Sequence, residues 1–296
     1  MTTPQESRPA PLGAPGVLRA GRFVIPLDRP LVMGVINVTP DSFSDGGELP
    51  DALAAVDRAR RLAEEGADIL DVGGESTRPG AAPVGVDEEL RRVMPVVEAL
   101  AGGGVPVSVD TSKPDVMRAV IAAGAAFIND VFALRLPGAL ETVAASDTGV
   151  CLMHMLGEPR TMQDDPVYGD VVAEVKAFLD DRVAACEGAG IDRSRLVIDP
   201  GFGFGKKAVH NLALIRGLPV LAASGIPVLA GLSRKSVLGK ITGRLVGDRV
   251  HSSVAAAIVA VARGARIVRV HDVAATRDAL AVWTAVENEG TGFDGR

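Results

Sequence analysis

The chain has 296 residues, 47% apolar and 23% charged, with 31 basic against 37 acidic side chains and a formal charge of −6. That apolar content excludes a disordered chain, and the acidic balance excludes a general nucleic-acid or membrane-surface binder, which needs a basic stripe to gain from counterion release. The length fits two ordinary domains or one α/β barrel of roughly 250 residues.

Residues 1–16 include Pro4, Pro9, Pro11 and Pro15 and show little apolar periodicity, so a disordered tail is expected there, with a second loose tail at 288–296. Val17–Leu27, with Gly21 near its middle, reads as a hairpin. From residue 31 onward, short apolar runs alternate with Ala-rich stretches at helical spacing. The runs are Leu31–Ile36, Ile69–Val72, Val105–Val109, Ala126–Ile128, Val150–Met153, Leu196–Ile198, Ile226–Leu229 and Arg266–Val270. Helical patterns between them include Asp51–Glu65, Asp87–Leu100, Pro114–Ala123, Val167–Glu187, Val250–Arg263 and Ala274–Glu287. Strands apolar on both faces suit a parallel sheet covered by helices. Eight such units across 17–287 predict a single-domain (β/α)8 TIM barrel, with the hairpin closing its floor. An open, doubly wound sheet is the competing arrangement of the same elements.

The uncharged stretch Gly217–Ser233 is broken by Pro219, Gly225 and Pro227 and is no membrane span. Cys151 and Cys186 form no CxxC and accompany no secretory signal, so a reduced, cytoplasmic setting is expected. Eight Phe, one Tyr and one Trp leave a core built from Ala, Val, Leu and Ile. Phe43, Phe132, Phe202 and Phe204 fall in strand-end loops, which reserves rings for a face that grips flat molecules.

The apolar runs end, one after another, in polar residues: Asn37, then Gly73–Arg78, Asp110, Asn129-Asp130, His154, Asp199, Ser233-Arg234-Lys235, and Arg269 with His271. Singly, such a residue is ordinarily a helix cap or turn former. At every strand end it marks the C-terminal face of a barrel, where active sites are built. The acceptors Asp110, Asn129 and Asp199 belong to the third, fourth and sixth runs, and the cations Lys235, Arg269 and His271 to the last two. That segregation suits a flat, donor-rich heterocycle held by acceptors and an anionic group held by cations. An internal salt-bridge network without a ligand is the bland alternative.

Other motifs are weaker. Gly201–Lys206 is Gly-rich, but Lys207 stands where a P-loop needs Ser or Thr, so the segment reads as a mobile loop whose backbone can approach a ligand. Met153-His154-Met155 reads as core methionine beside a hydrogen-bonded histidine, since no second His or Cys cluster supports a metal.

Two long motifs, 32–47 (VMGVINVTPDSFSDGG) and 71–80 (DVGGESTRPG), resemble the signature loops of dihydropteroate synthase. The similarity continues through 108–111 (SVDT), 151–155 (CLMHM), 199–206 (DPGFGFGK), 233–236 (SRKS) and 269–272 (RVHD), and spans roughly 17–287. That family joins 4-aminobenzoate to the methylene carbon of a 6-hydroxymethyl-7,8-dihydropterin diphosphate, giving dihydropteroate for folate synthesis and releasing diphosphate. The resemblance implies that Asp110, Asn129, Asp199 and Lys235 hydrogen-bond the pterin, that Met153 and Phe204 wall it, and that Arg269 stacks on it. It also implies that Thr77, Arg269 and His271 address the diphosphate, that Asn37 contributes to a Mg²⁺ site, and that Phe43, Arg78, Pro79 and Ser236 shape the aminobenzoate pocket. A homodimer is implied as well.

The chemistry this implies is a displacement in which diphosphate departs ahead of attack, with Asp110, Asp199, Lys235 and Arg269 as the groups supporting it and no Ser, Cys or His nucleophile. One departure is Phe132-Ala133-Leu134, which replaces small polar residues expected after Asn129-Asp130-Val131 and reads as repacking. Two alternatives share the fold: a pterin-dependent methyltransferase serving a corrinoid, and a non-catalytic pterin-binding paralogue. The first would not need Thr77-Arg78 and Ser233–Ser236.

Overall fold

The computed structural model describes residues 16–38, 48–76, 80, 82–158 and 161–287. The expected tails, Gly16 excepted, lie outside the described residues, as do Phe43, Thr77, Arg78 and Pro79. Strands β1 (Val17–Ala20) and β2 (Phe23–Pro26) form the antiparallel hairpin, turning at Gly21. Strands β3 (Leu31–Asn37), β4 (Ile69–Gly73), β5 (Val107–Asp110), β6 (Phe127–Asp130), β7 (Gly149–Met153), β8 (Leu196–Asp199), β9 (Val228–Ala230) and β10 (Ala265–Val270) follow, each from β4 onward pairing in parallel with the one before. β10 pairs with β3, so the sheet closes into a barrel and is not an open doubly wound sheet. The crossovers carry α1 (Glu48–Glu64), α2 (Val86–Leu100), α3 (Pro114–Ala122), α4 (Ala139–Ala144), α5 (Val171–Gly188), α6 (Ala208–Ala222), α7 (Ser236–Thr242) and α8 (Val250–Ala262), with α9 (Val273–Glu287) after the last strand.

Alternation along the strands sorts the side chains. One parity, including Val32, Leu70, Val109 and Ile198, joins the helices in the main apolar cluster. The other parity fills the barrel: Met33, Ile69, Phe127, Cys151, Val197, Leu229 and Ile267 pack with Leu18, Ala20 and Leu27 of the hairpin. The hairpin therefore plugs the barrel floor. Each large aliphatic side chain buried there contributes about 1.5–3 kcal/mol. Phe127 is the aromatic member of this interior cluster, and its ring requires glycine at the paired Gly149, where a Cβ would overlap it.

Two residues further along the same strands, the inward positions change character: Ile69 gives way to Asp71, Phe127 to Asn129, Cys151 to Met153, Val197 to Asp199 and Ile267 to Arg269. A period of two thus stacks a polar layer on the apolar plug, at the end where the strands finish.

Two local expectations need correction. α5 starts at Val171, four residues later than its pattern suggested, because the Asp170 carboxylate caps it by accepting the N–H groups of Val172 (2.9 Å) and Ala173 (3.1 Å). Pro219 does not interrupt its segment: α6 runs through it to Ala222, the proline falling near the C-terminal end of the helix. Among the described residues, no helix is long and apolar enough to cross a membrane.

Candidate active site

The polar layer is organised around Arg269, which β10 aims into the barrel. Its Nε donates to Asp71 Oδ2 at 2.6 Å and its Nη2 to Asp110 Oδ2 at 2.9 Å. Asn129 Nδ2 donates to the same Asp71 oxygen at 3.2 Å, and Ser108 Oγ to the other at 2.6 Å. Strands β4, β5, β6 and β10 thereby meet in one network. Burial raises the Asp110 pKa to about 7, helped by the negative charge of Asp71 and opposed by Arg269. The two carboxylates hold Arg269 firmly as a cation, against its own burial.

On the opposite wall, Asp199 is buried, which raises its pKa. The Gly201 N–H donates to it at 2.7 Å, and the positive charges of Lys235, Lys206 and Arg269 pull the pKa back down. Lys235 lies over the Phe204 ring, its Nζ 4.2 Å from the ring centre, and burial beside Arg269 lowers its pKa to about 8. Met153 belongs to a small cluster with Val131, Met155 and Met162, against which Phe132 and Phe204 pack. Acceptors, a lysine and a soft apolar wall thus surround one space at the strand ends.

The loop after β8 is bound by its own neighbours. Gly201 has φ +67° and a Cβ there would overlap the His154 carbonyl oxygen, so this glycine serves close approach to the residue that follows β7. Lys206 Nζ, buried behind the loop, bonds His154 Nδ1 at 2.9 Å and the Phe204 carbonyl at 2.9 Å. Burial and the Lys206 charge push the His154 pKa down to about 3, so it is the neutral, hydrogen-bonded core histidine the sequence suggested. Tyr168 and Gln163 donate to the Gly205 and Gly203 carbonyls.

The loop after β9 is strained and braced. Arg234 sits at φ +58°, held bidentately by Asp272 (2.6 and 3.1 Å), with its N–H on Ser253 Oγ and its carbonyl accepting from Arg249. That bracing presents Ser233 and Lys235 on either side. The His271 backbone N–H donates to Ser233 Oγ at 3.2 Å, and the hydroxyl proton then serves His271 Nδ1 at 3.0 Å. This assignment leaves the proton on Nε2, free to donate to an anion. Burial and the charges of Arg269 and Arg234 lower the His271 pKa to about 4, so the ring is neutral at pH 7.

Asn37, half-buried, closes β3 opposite Gly73, and Ser236 is the exposed first residue of α7. Asp110, Asn129, Asp199, Met153, Phe204, Lys235, Arg269 and His271 are all brought to one end of the barrel. Phe202 is not: it is buried in the helix-facing core, which corrects its placement among rings facing a flat molecule. Phe132-Ala133-Leu134 divides its work. Ala133 and Leu134, both at positive φ, turn into the helix-facing core, while the buried Asp130 carboxylate accepts the N–H groups of Phe132 and Leu134.

Three further contributors had no role assigned from sequence, although Lys113 and Lys206 fall at the strand-end face as their positions suggested. Asp71 lies inside an apolar run and carries no strand-end signal. Lys206 has its partner, His154, just after β7. Lys113 donates to both Glu75 and the buried Glu89, tying the root of the loop after β4 to α2.

The profile described as Pterin binding enzyme matches residues 33–271. The dihydropteroate synthase of Neisseria meningitidis serogroup B is 54% identical over 277 residues, covering 91% of this chain and 97% of that protein. The solved structure of Xanthomonas albilineans dihydropteroate synthase with 4-aminobenzoic acid superposes with a TM-score of 0.88 at 58% identity, covering 93% of this chain and 99% of that one. That of Burkholderia cenocepacia dihydropteroate synthase complexed with 7,8-dihydropteroate gives a TM-score of 0.86 at 52% identity, covering 94% and 99% respectively.

Proposed function

This chain belongs to the dihydropteroate synthase family of pterin-binding enzymes, and on that footing we propose that it is a transferase of folate biosynthesis, condensing 4-aminobenzoate with (7,8-dihydropterin-6-yl)methyl diphosphate to 7,8-dihydropteroate and diphosphate. The observation that carries the reading is the polar layer at the strand ends, with Asp110, Asn129 and Asp199 as acceptors beside the cations Arg269 and Lys235.

In this reading Asp110, Asn129 and Asp199 take the ring N–H groups, Lys235 donates to a ring acceptor, and Met153 and Phe204 cover the ring faces. Arg269 and His271 Nε2, with Thr77, bind the diphosphate, while Phe43, Arg78, Pro79 and Ser236 receive the aminobenzoate. The C–O bond to diphosphate breaks with its electron pair leaving on oxygen, and the amine lone pair forms the new C–N bond before losing its proton to solvent. Charge that develops on the ring meets the buried Asp199 and the mostly buried Asp110, where preformed electrostatics act more strongly than in water. The arylamine is nucleophilic when neutral, so no side chain need activate it. Cys151, buried and with its pKa raised well above normal, is no nucleophile.

Among the described residues no group of three His, Cys, Asp or Glu side chains could hold a metal, and Asn37 offers one amide oxygen. That donor set fits Mg²⁺, which keeps its waters and takes substrate phosphates in preference to an all-protein cage. Asn37 would hold the ion, which supplies charge neutralisation at the departing diphosphate. A homodimer is supported by the exposed apolar side chains of Val209, Leu212, Ile241, Leu245, Val246 and Val259 on the adjoining α6, α7–α8 segment. The free, buried Cys151 and Cys186 agree with a cytoplasmic setting.

The test is incubation of the purified chain with pterin diphosphate, 4-aminobenzoate and Mg²⁺. Dihydropteroate and diphosphate in equal amounts are expected. Pterin binding without product would favour the non-catalytic paralogue, and dependence on a methyl donor the methyltransferase.

A further inference from the structure

Asp71 stands behind the groups assigned to substrate. It is fully buried, and its hydrogen bonds run to three other strands: Ser108 on β5, Asn129 on β6 and Arg269 on β10. A buried ion pair of this kind stabilises a fold no better than apolar residues of similar volume, so its use lies elsewhere. Two of its partners address different parts of the substrate in the reading above, Asn129 the ring and Arg269 the diphosphate.

Arg269 is held at two nitrogens by two carboxylates that differ in availability. Nη2 is on Asp110, which is only partly buried and stands at the strand end, where ring N–H groups compete for it. Nε is on Asp71, which no ligand can reach. Nη1 has no protein partner among the described residues and is open to an anion. When a ring engages Asp110, Asp71 is the contact that keeps Arg269 at its station.

We propose that Asp71 is a positioning residue for the transfer step: it fixes Arg269 and Asn129 in one frame, so that reading the pterin ring and drawing off the diphosphate are aligned. This rests on the function proposed above.

Asp71→Asn keeps the volume and an acceptor for Ser108 but removes the charge that holds Nε. Loss of a buried charge-assisted bond predicts a fall in kcat/KM for pterin diphosphate of about 30-fold. KM for 4-aminobenzoate at saturating pterin diphosphate should move less than about threefold, since Asn129 and Arg269 are assigned to the other substrate. A second readout separates positioning from packing. Arg269→Ala should regain activity with added guanidinium ion, because Asp71 is present to seat it, whereas Asp71→Asn/Arg269→Ala should not. Equal rescue of both overturns the proposal, as does an Asp71→Asn enzyme with wild-type kcat/KM. If Asp71→Asn fails to fold, Ser108→Ala carries the test: it frees one Asp71 oxygen and should lower kcat/KM for pterin diphosphate several-fold, and an unchanged value overturns the proposal. Wild-type enzyme in the same assay keeps the two readings apart. No product there removes the function and this inference together, while wild-type turnover with an indifferent Asp71 removes this inference alone.

Discussion

Replacing Lys206 by methionine should change how stability depends on pH far more than stability itself. Lys206 Nζ is buried among neutral acceptors, His154 Nδ1 and the Phe204 carbonyl at 2.9 Å and the His154 carbonyl at 3.3 Å, with no carboxylate in ion-pair range among the described residues. Burial lowers its pKa from 10.5 to about 7, with Asp199 opposing and Lys235 reinforcing the shift. The folded value lies below the unfolded one, so the unfolded chain binds more protons between about pH 7 and 10.5, and stability must rise with pH across that window. The full burden of the buried ammonium, felt below pH 7, is about 5 kcal/mol at about 1.4 kcal/mol per pKa unit. Methionine removes that burden but strands two well-placed acceptors, at about 1–3 kcal/mol each. The opposed terms leave Lys206→Met within about 2 kcal/mol of wild type near pH 7. Urea unfolding of both proteins from pH 6 to 10 should show the wild-type curve rising above that of the variant by several kcal/mol. Parallel curves would refute the reasoning. Loss of the buckle between the loops after β7 and β8 should also lower kcat/KM for pterin diphosphate about tenfold.

Asp199→Asn should fold normally and lose about 100-fold or more in product formation, since it removes charge that the developing ring cation needs; near-normal turnover would contradict its role. His271→Ala should weaken binding of inorganic diphosphate about tenfold, one hydrogen bond to a charged group, and leave binding of an unphosphorylated pterin unchanged, both read by calorimetry. Because the His271 pKa is held down to about 4, wild-type diphosphate affinity should show no step near pH 6.5 from this ring, and imidazole NMR should find it neutral there. Leu245→Glu places a charge at an exposed apolar position and should shift the proposed dimer to monomer in sedimentation; a dimer unchanged by it would exclude that face.

The barrel was legible in the sequence because its strands are apolar on both faces and its helices amphipathic, and because polar residues recur at every strand end. Those same signals picked out Asp110, Asn129, Asp199, Lys235, Arg269 and His271. Asp71 escaped because it interrupts an apolar run mid-strand: only the barrel register shows that this position faces inward, two residues above Ile69, toward Arg269. Lys206 was legible as a strand-end lysine but not in its role, which depends on His154, 52 residues away in sequence. Phe202 misled because a strand-end position does not fix which way a side chain turns, and the positive φ of Gly201 and Gly203 on either side accompanies its turn into the core. Glycines in that loop signalled close approach, and only the fold shows that the approach at Gly201 is to the protein's own backbone.

Departure of diphosphate ahead of attack, as expected from the chemistry, has a consequence that can be read without any product. Pterin diphosphate carrying ¹⁸O in the C–O–P bridge, held on the enzyme with Mg²⁺ and without 4-aminobenzoate, should return with the label scrambled into the non-bridging oxygens of the adjacent phosphate, because cleavage is reversible while both fragments stay bound. Label retained wholly in the bridge, in enzyme that turns over normally once 4-aminobenzoate is added, would contradict departure ahead of attack.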